Sequence, residues 1–142
     1  MSSTTIYNNA LLEMVRGTLN FTNGANSTYK VMLLGPTSTY VVNKSHTNIS
    51  DVTSNGGVEA SGTGYTAGGK APANITSAVV ANAVELSFDD VSWTNATLNA
   101  KAAILYNPTT SRLVAYIDFG TTVTASNSTF TVDFQTPLKL QN

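Results

Sequence analysis

The stretch TLNAKAAILYNPTTSRLVAYIDFG, residues 97–120, decides the fold class of this protein. From Leu98 to Ile104, apolar side chains recur at every second position, a spacing typical of a strand with one buried face. The run LVAYIDF at 113–119 is the most strand-like segment in the chain, and it ends at Gly120. The turn sequence NPTT at 107–110 separates the two runs. The stretch therefore predicts an antiparallel hairpin with a loop of about five residues.

Other segments show the same short apolar or alternating pattern. The run YKVMLL at 29–34 is apolar and is stopped by Gly35-Pro36, and apolar residues alternate at 84–88 and at 130–134. Weaker strand candidates lie at 58–61 and at 138–140. Together these segments give roughly six to eight short strands with frequent turns, which favours an antiparallel sandwich or barrel.

Residues 7–19, YNNALLEMVRGTL, are the one good helix candidate. Its apolar residues recur at helical spacing, at Leu11, Leu12, Val15 and Leu19. Asn8 or Asn9 can cap the first turn, and Gly17 stands where a terminator is expected. We expect a short amphipathic helix whose apolar stripe packs against a sheet. The segment 48–52 is compatible with one helical turn or with an irregular loop.

The order of these elements predicts the fold class and the domain count. Strands and helices do not alternate in a βαβ pattern, so a parallel sheet is not expected. We find no internal repeat and no linker in the 142 residues, a length usual for one domain. We therefore predict a single, mainly β domain over residues 1–142. It consists of one N-terminal helix at about 7–19 and an antiparallel, jelly-roll-like β-sandwich at about 28–140.

The chain is poor in charge. Charged residues make up 11% of it, against about 25% in a typical domain. Its polar surface must therefore be built from Ser, Thr and Asn. Because uncharged surfaces repel each other weakly, many copies can pack closely at little electrostatic cost. This composition suits the subunits of large assemblies.

Several classes of partner are disfavoured by composition. The basic residues are scattered along the chain, at Arg16, Lys30, Lys44, Lys70, Lys101, Arg112 and Lys139. Nucleic-acid binding needs a basic patch, so we expect none. The absence of cysteine excludes disulfides and thiolate metal sites. We also expect no signal peptide, because the segment 1–9 is polar, and no membrane span, because no apolar run approaches about 18 residues.

The residues that catalysis would need are also sparse. The single histidine, His46, lies in a polar loop, and no G-x-S-x-G elbow is present. Glu59, Glu85, Asp89 and Asp90 are carboxylates without a spacing that singles out an acid and a nucleophile. We therefore predict a protein that is not an enzyme, with no catalytic, cofactor-binding or metal-binding residues.

The glycine-rich stretch GTGYTAGGK at 62–70 imitates two nucleotide-binding motifs. It fits G-x-x-x-x-G-K, but Ala71 stands where a P-loop needs a hydroxyl, and no helix is predicted to follow. It also fits G-x-G-x-x-A, but without a βαβ unit around it. A mobile or tightly turned loop is the better interpretation. We expect Tyr65 to be exposed there, and the loop is our candidate contact site, through Gly62, Gly64, Tyr65, Gly68 and Gly69.

The only tryptophan, Trp93, is either an interface anchor or a core residue beside the hairpin. We favour the core.

Read in order, several stretches carry a resemblance to a known family. They are YKVMLL at 29–34, ISDV at 49–52, VEASGTGYTAGG at 58–69, DDVSWTNAT at 89–97, AILYN at 103–107 and LVAYIDFG at 113–120. This series resembles small virion structural proteins of tailed bacteriophages, among them head decoration (cement) proteins. The resemblance runs from the helix to about residue 134, and its most specific parts are 61–69 and 117–120.

The resemblance implies a β-sandwich or jelly-roll-like subunit on a capsid lattice, made in the host cytoplasm. As a decoration protein it would bind the outer surface of the mature head and bridge major capsid protein subunits. It would be a monomer, dimer or trimer on its own. The alternative is a tail, fibre or host-recognition module that binds carbohydrate through polar loops and an aromatic such as Tyr65 or Trp93.

Overall fold

The computed structural model describes residues 3–17, 29–81, 83–133 and, by backbone, 138–141. The protein is mainly β, with 51% strand and 13% helix. The elements are β1 (Ser3–Ile6), α1 (Asn8–Arg16), β2 (Lys30–Leu34), α2 (Ile49–Ser54), β3 (Thr76–Val80), β4 (Ala83–Ser87), β5 (Val91–Asn107), β6 (Arg112–Val132) and β7 (Leu138–Gln141). The paired strands are antiparallel, which confirms the predicted fold class. The jelly-roll topology stays a prediction.

The strands form two sheets, ordered β1-β6-β5-β2 and β3-β4-β7. The predicted hairpin is confirmed as β5 and β6, which are joined by the turn at 108–111. Both strands are longer than predicted. The polar segment 121–127 is part of β6, and so is the strand predicted at 130–134 as far as Val132.

Bulges allow β6 to continue through this polar segment. Residues 119–122 lie opposite Lys101 alone, and one of three further register shifts lies between the pairs that Ala96 and Leu98 make. The Gly120 N–H donates to Asp118 Oδ1 at 2.8 Å, which supports the first bulge. Because a bulge bends and twists a strand without ending its pairing, the hairpin persists where the alternation is lost.

The bulges fold the hairpin over on itself. The ring centroids of Phe119 and Phe130 are 6.2 Å apart, whereas 11 residues of straight strand would span about 36 Å. The hairpin therefore has a near half, 101–107 with 112–118, and a far half, 91–100 with 123–132. Side chains between the halves form the main core. Trp93 is 4% exposed within it, which confirms the prediction that it is a core residue.

The opposite face of the near half is buried as well. A second cluster there contains Tyr7, Tyr40, Val52, Ile104 and Tyr116. The segment that carries α2 contributes Tyr40 and Val52 to this cluster. Burial on both faces explains why the strands of the near half are continuously apolar instead of strictly alternating.

Helix α1 corrects part of the sequence prediction. It begins at Asn8 and ends at Arg16, with Gly17 as the predicted C-cap, but Tyr7 is the N-cap residue and no side chain caps it. The expectation that the apolar stripe packs against a sheet is wrong, because Leu11, Leu12 and Val15 are 40, 44 and 86% exposed. Ala10 is the buried residue of the helix, and Met14 packs against the main core. Leu19 lies outside the described residues.

The smaller elements also differ from the expectation. Strands β1 and β3 carry no alternating apolar pattern, and the sequence did not predict them. Of the alternating residues in 84–88, Leu86 and Phe88 are buried, but Val84 is 41% exposed. The sequence left the segment 48–52 open between one helical turn and an irregular loop. The structure shows helix α2 there. None of the described helices has the length and apolarity needed to cross a bilayer.

Candidate functional site

The predicted contact loop is part of a strap, residues 58–70, that lies along the outer edge of β2. Gly35 N donates to Val58 O at 2.9 Å, and Ala60 N donates to Leu33 O at 2.9 Å. Val31 and Lys70 exchange two backbone hydrogen bonds of 2.8 and 3.1 Å. The strap therefore occupies the hydrogen-bonding groups of β2 that would otherwise be open to another chain.

Tyr65 completes this edge with its side chain. Its hydroxyl accepts a hydrogen bond from Leu33 N at 3.0 Å and donates one to Glu59 Oε1 at 2.8 Å. Its ring lies 5.6 Å from that of Trp93, between centroids. Burial is the main cause that raises the pKa of Tyr65, and the Glu59 carboxylate adds to it. The expectation of an exposed Tyr65 is wrong, because the side chain is partly buried and pins the strap to the core.

The glycines serve close packing of the strap. A Cβ at Gly69 would overlap the carbonyl oxygen of Val31, and one at Gly62 would overlap that of Thr97. At Gly68 a Cβ would meet only the Tyr106 hydroxyl, at 3.5 Å. Of the two interpretations left open for this stretch, the tightly turned loop is the one observed.

Beside the strap lies an open groove of about 480 Å³. Six of its thirteen lining residues carry uncharged polar side chains, from the strap, the far half and the turn after β2: Thr37, Ser61, Thr97, Asn99, Thr124 and Ser126. Glu59 also lines the groove, but its Oε1 already accepts from Tyr65 and from Gly68 N at 2.6 Å. This arrangement offers hydrogen bonds to neutral polar groups. The five candidate contact residues as a binding site stay a prediction.

His46 belongs to a row of hydrogen-bonded side chains that is buried at Tyr7 and Tyr40 and partly buried at His46. Its Nδ1 lies 2.9 Å from the Tyr40 hydroxyl, which lies 3.1 Å from that of Tyr7. Burial is the main cause that raises the pKa of Tyr7, and burial also raises the pKa of Tyr116 to about 12. These hydrogen bonds link the segment before α2 to Tyr7, the residue before α1. The role that the structure shows for His46 is therefore structural.

The neighbouring carboxylate has a structural role as well. Asp51 Oδ2 accepts hydrogen bonds from Thr47 N at 2.9 Å and from Asn48 N at 3.0 Å. These two bonds lower the pKa of Asp51. They hold the chain at the start of α2. In the described ranges no three His, Asp or Glu side chains come together as a metal site would need.

The apolar face of α1, which the sequence predicted to be buried against a sheet, is exposed. Leu11, Leu12 and Val15, which we call the outward stripe, lie within about one helical turn of each other and are exposed to solvent. The helix is held from the other side by buried Ala10 and by an ion pair between Glu13 and Arg112 at 3.4 Å. The helical spacing was visible in the sequence, but spacing does not say whether a stripe meets the core or a partner.

No family model matches the chain, and neither a curated protein nor a solved structure matches it.

Proposed function

We propose that this protein is a non-catalytic subunit that decorates the outer surface of a mature phage head. The outward stripe of α1 carries this proposal. An exposed apolar stripe is a ready contact surface, because burying a Val or Leu side chain is worth about 1.5–3 kcal/mol. In this role the stripe packs against the major capsid protein.

The way α1 is mounted supports such a contact. Its inner side is fixed by Ala10 and by the ion pair between Glu13 and Arg112, so the stripe is presented on a helix that is already ordered. Binding then costs little ordering entropy. Charged residues make up 11% of the chain, so neighbouring copies on a lattice repel each other weakly.

Decoration stabilises a head through mass action. A subunit that binds the mature lattice, and not its precursor, shifts the equilibrium towards the mature form. When each subunit bridges two capsid proteins, the same modest contact is repeated over the whole lattice, and multivalency adds to the mechanical strength.

The test uses purified phage heads and two matched variants. We expect the wild-type protein to bind expanded heads at micromolar concentration and unexpanded heads at least tenfold more weakly. Val15→Asp places a charge in the stripe and should weaken binding to expanded heads at least tenfold. Val41→Asp is the control, because Val41 is 79% exposed and lies outside α1. Failure of the wild-type protein to bind expanded heads would overturn the proposal.

A second candidate function rests on the groove beside the strap. Its hydroxyl and amide side chains, among them Thr97 and Asn99, suit neutral sugar hydroxyls. This supports a tail, fibre or host-recognition module. The number of copies per particle, measured by quantitative mass spectrometry, separates the two functions: hundreds favour the head, and a handful favours the tail.

A further inference from the structure

Beyond Asp118, the outer edge of β6 pairs with none of the strands that the structure describes. Strand β1 pairs with this edge only from Ala115 to Asp118. From 119 to 132 no strand in the described ranges pairs with the outer edge, while β5 pairs with the inner one. This segment, FGTTVTASNSTFTV, carries no charge. Lysine and proline, two common guards of exposed edges, do not occur here. Beyond the bulges, residues 130–132 pair regularly with β5, so the edge there can accept an added strand.

An apolar cleft of about 140 Å³ lies in the bend of β6. Its apolar lining comes from both halves of the strand, at Ile117, Phe119, Val123, Phe130 and Val132, and Thr131 and Asp133 complete it. Phe130 and Val132 are buried, whereas Val123 is 39% exposed. Apolar cavities of about 150 Å³ accept benzene, so the cleft has room for one aliphatic side chain.

Strand β3 of the same chain has the properties that pairing with this open edge requires. All residues of β3, TSAVV at 76–80, are exposed, and none is charged. The strand lies at the edge of its sheet, beside β4. Val79 is 79% exposed, which leaves a large aliphatic side chain in water.

We propose that β3 of one copy pairs with the open edge of β6 in a second copy, with Val79 in the apolar cleft. A strand is the occupant because the open edge offers backbone donors and acceptors. A second copy is the occupant because both strands lack charge, so their pairing brings no like charges together. The contact is head to tail and therefore builds a ring, such as a trimer, if the rotation closes. It does not depend on attachment to a capsid.

Cysteine cross-linking tests the pairing, because the native chain has no cysteine. Val79→Cys and Val123→Cys are purified separately, mixed and oxidised. We expect a disulfide-linked dimer that contains one chain of each variant. If Val123→Cys links mainly to itself, two β6 edges pair instead and the proposal is wrong. It is equally wrong if Val79→Cys links mainly to itself, or if no cross-link forms.

A charge on the inserting side chain provides a second measurement. Val79→Asp should weaken self-association at least tenfold in sedimentation equilibrium, because its carboxylate would be buried in the cleft beside Asp133. Val41→Asp is the matched control, because Val41 is also 79% exposed but lies outside the strands. Both variants should keep the wild-type circular-dichroism spectrum. A wild-type protein that stays monomeric at all concentrations, or equal association of the two variants, overturns the proposal.

Discussion

At the scale of single residues, the Tyr65 hydroxyl replaces a backbone carbonyl as the acceptor for a strand N–H. Lys70 of the strap pairs with Val31 of β2 through backbone hydrogen bonds. The N–H of Leu33 instead donates to the side-chain hydroxyl of Tyr65. Leu33 is fully buried, so its N–H would cost about 1–3 kcal/mol without this acceptor. A tyrosine in a glycine-rich loop is therefore a structural residue here, held in place by Glu59 and Trp93.

Two adjacent glycines of the strap give a matched pair of substitutions. Both have a positive φ, +91° at Gly68 and +84° at Gly69, so alanine costs about 1 kcal/mol at either position. Gly69→Ala should cost roughly 1–3 kcal/mol more, because its Cβ would overlap the Val31 carbonyl oxygen. Urea unfolding of the two variants measures the difference. Equal losses of unfolding free energy would contradict the close packing of the strap on β2.

At the scale of elements, local hydrogen bonds fix the short pieces that cover the sheets. Helix α2 has six residues, too few to be stable alone. Its start is held by the Asp51 carboxylate, and Val52 is buried in the second cluster. The helix therefore exists because of its tertiary position, and its start depends on an ionised carboxylate.

This dependence gives α2 a pH response. The pKa of Asp51 is lowered in the folded protein, so the carboxylate stabilises the fold above its unfolded pKa of about 3.9. The stabilisation is lost as the pH falls through the folded pKa. We expect Asp51→Asn to lower Tm at pH 7 and to have a smaller effect at pH 3. Calorimetry at the two pH values checks this, and an equal decrease in Tm at both would contradict the role of the charge.

At the scale of the whole molecule, one bent hairpin organises the fold. Its near half has a hydrophobic cluster on each face, and its far half covers the main core on the side opposite the near half. Tyrosines link these layers: Tyr65 joins the strap to β2, and Tyr7, the residue before α1, is hydrogen-bonded to Tyr40 in the segment before α2. Much of the polar chemistry of the interior therefore consists of neutral hydroxyl groups.

This architecture predicts alkaline unfolding. Burial is the largest cause that raises the pKa values of Tyr7, Tyr65, Tyr106 and Tyr116, the last to about 12. The unfolded chain loses these protons near pH 10 and the folded protein does not, so stability is complete below about pH 10 and decreases above it. We expect tyrosinate absorbance near 295 nm to rise together with the loss of the β spectrum between about pH 10 and 12. Free titration of these tyrosines at pH 10 in an intact fold would contradict the prediction.

The sequence alone determined the β class, the central hairpin and strand β2, because alternation and turn residues act over a few neighbouring positions. It favoured a core position for Trp93, which the structure then showed. Tertiary structure decided what those local patterns leave open. Bulges bent β6 through a polar segment, and covering segments buried the near half on both faces. The stripe of α1 and the ring of Tyr65 show the reason most directly. Spacing reveals that a face is apolar, but only the packed neighbours determine whether it points to the core or to solvent.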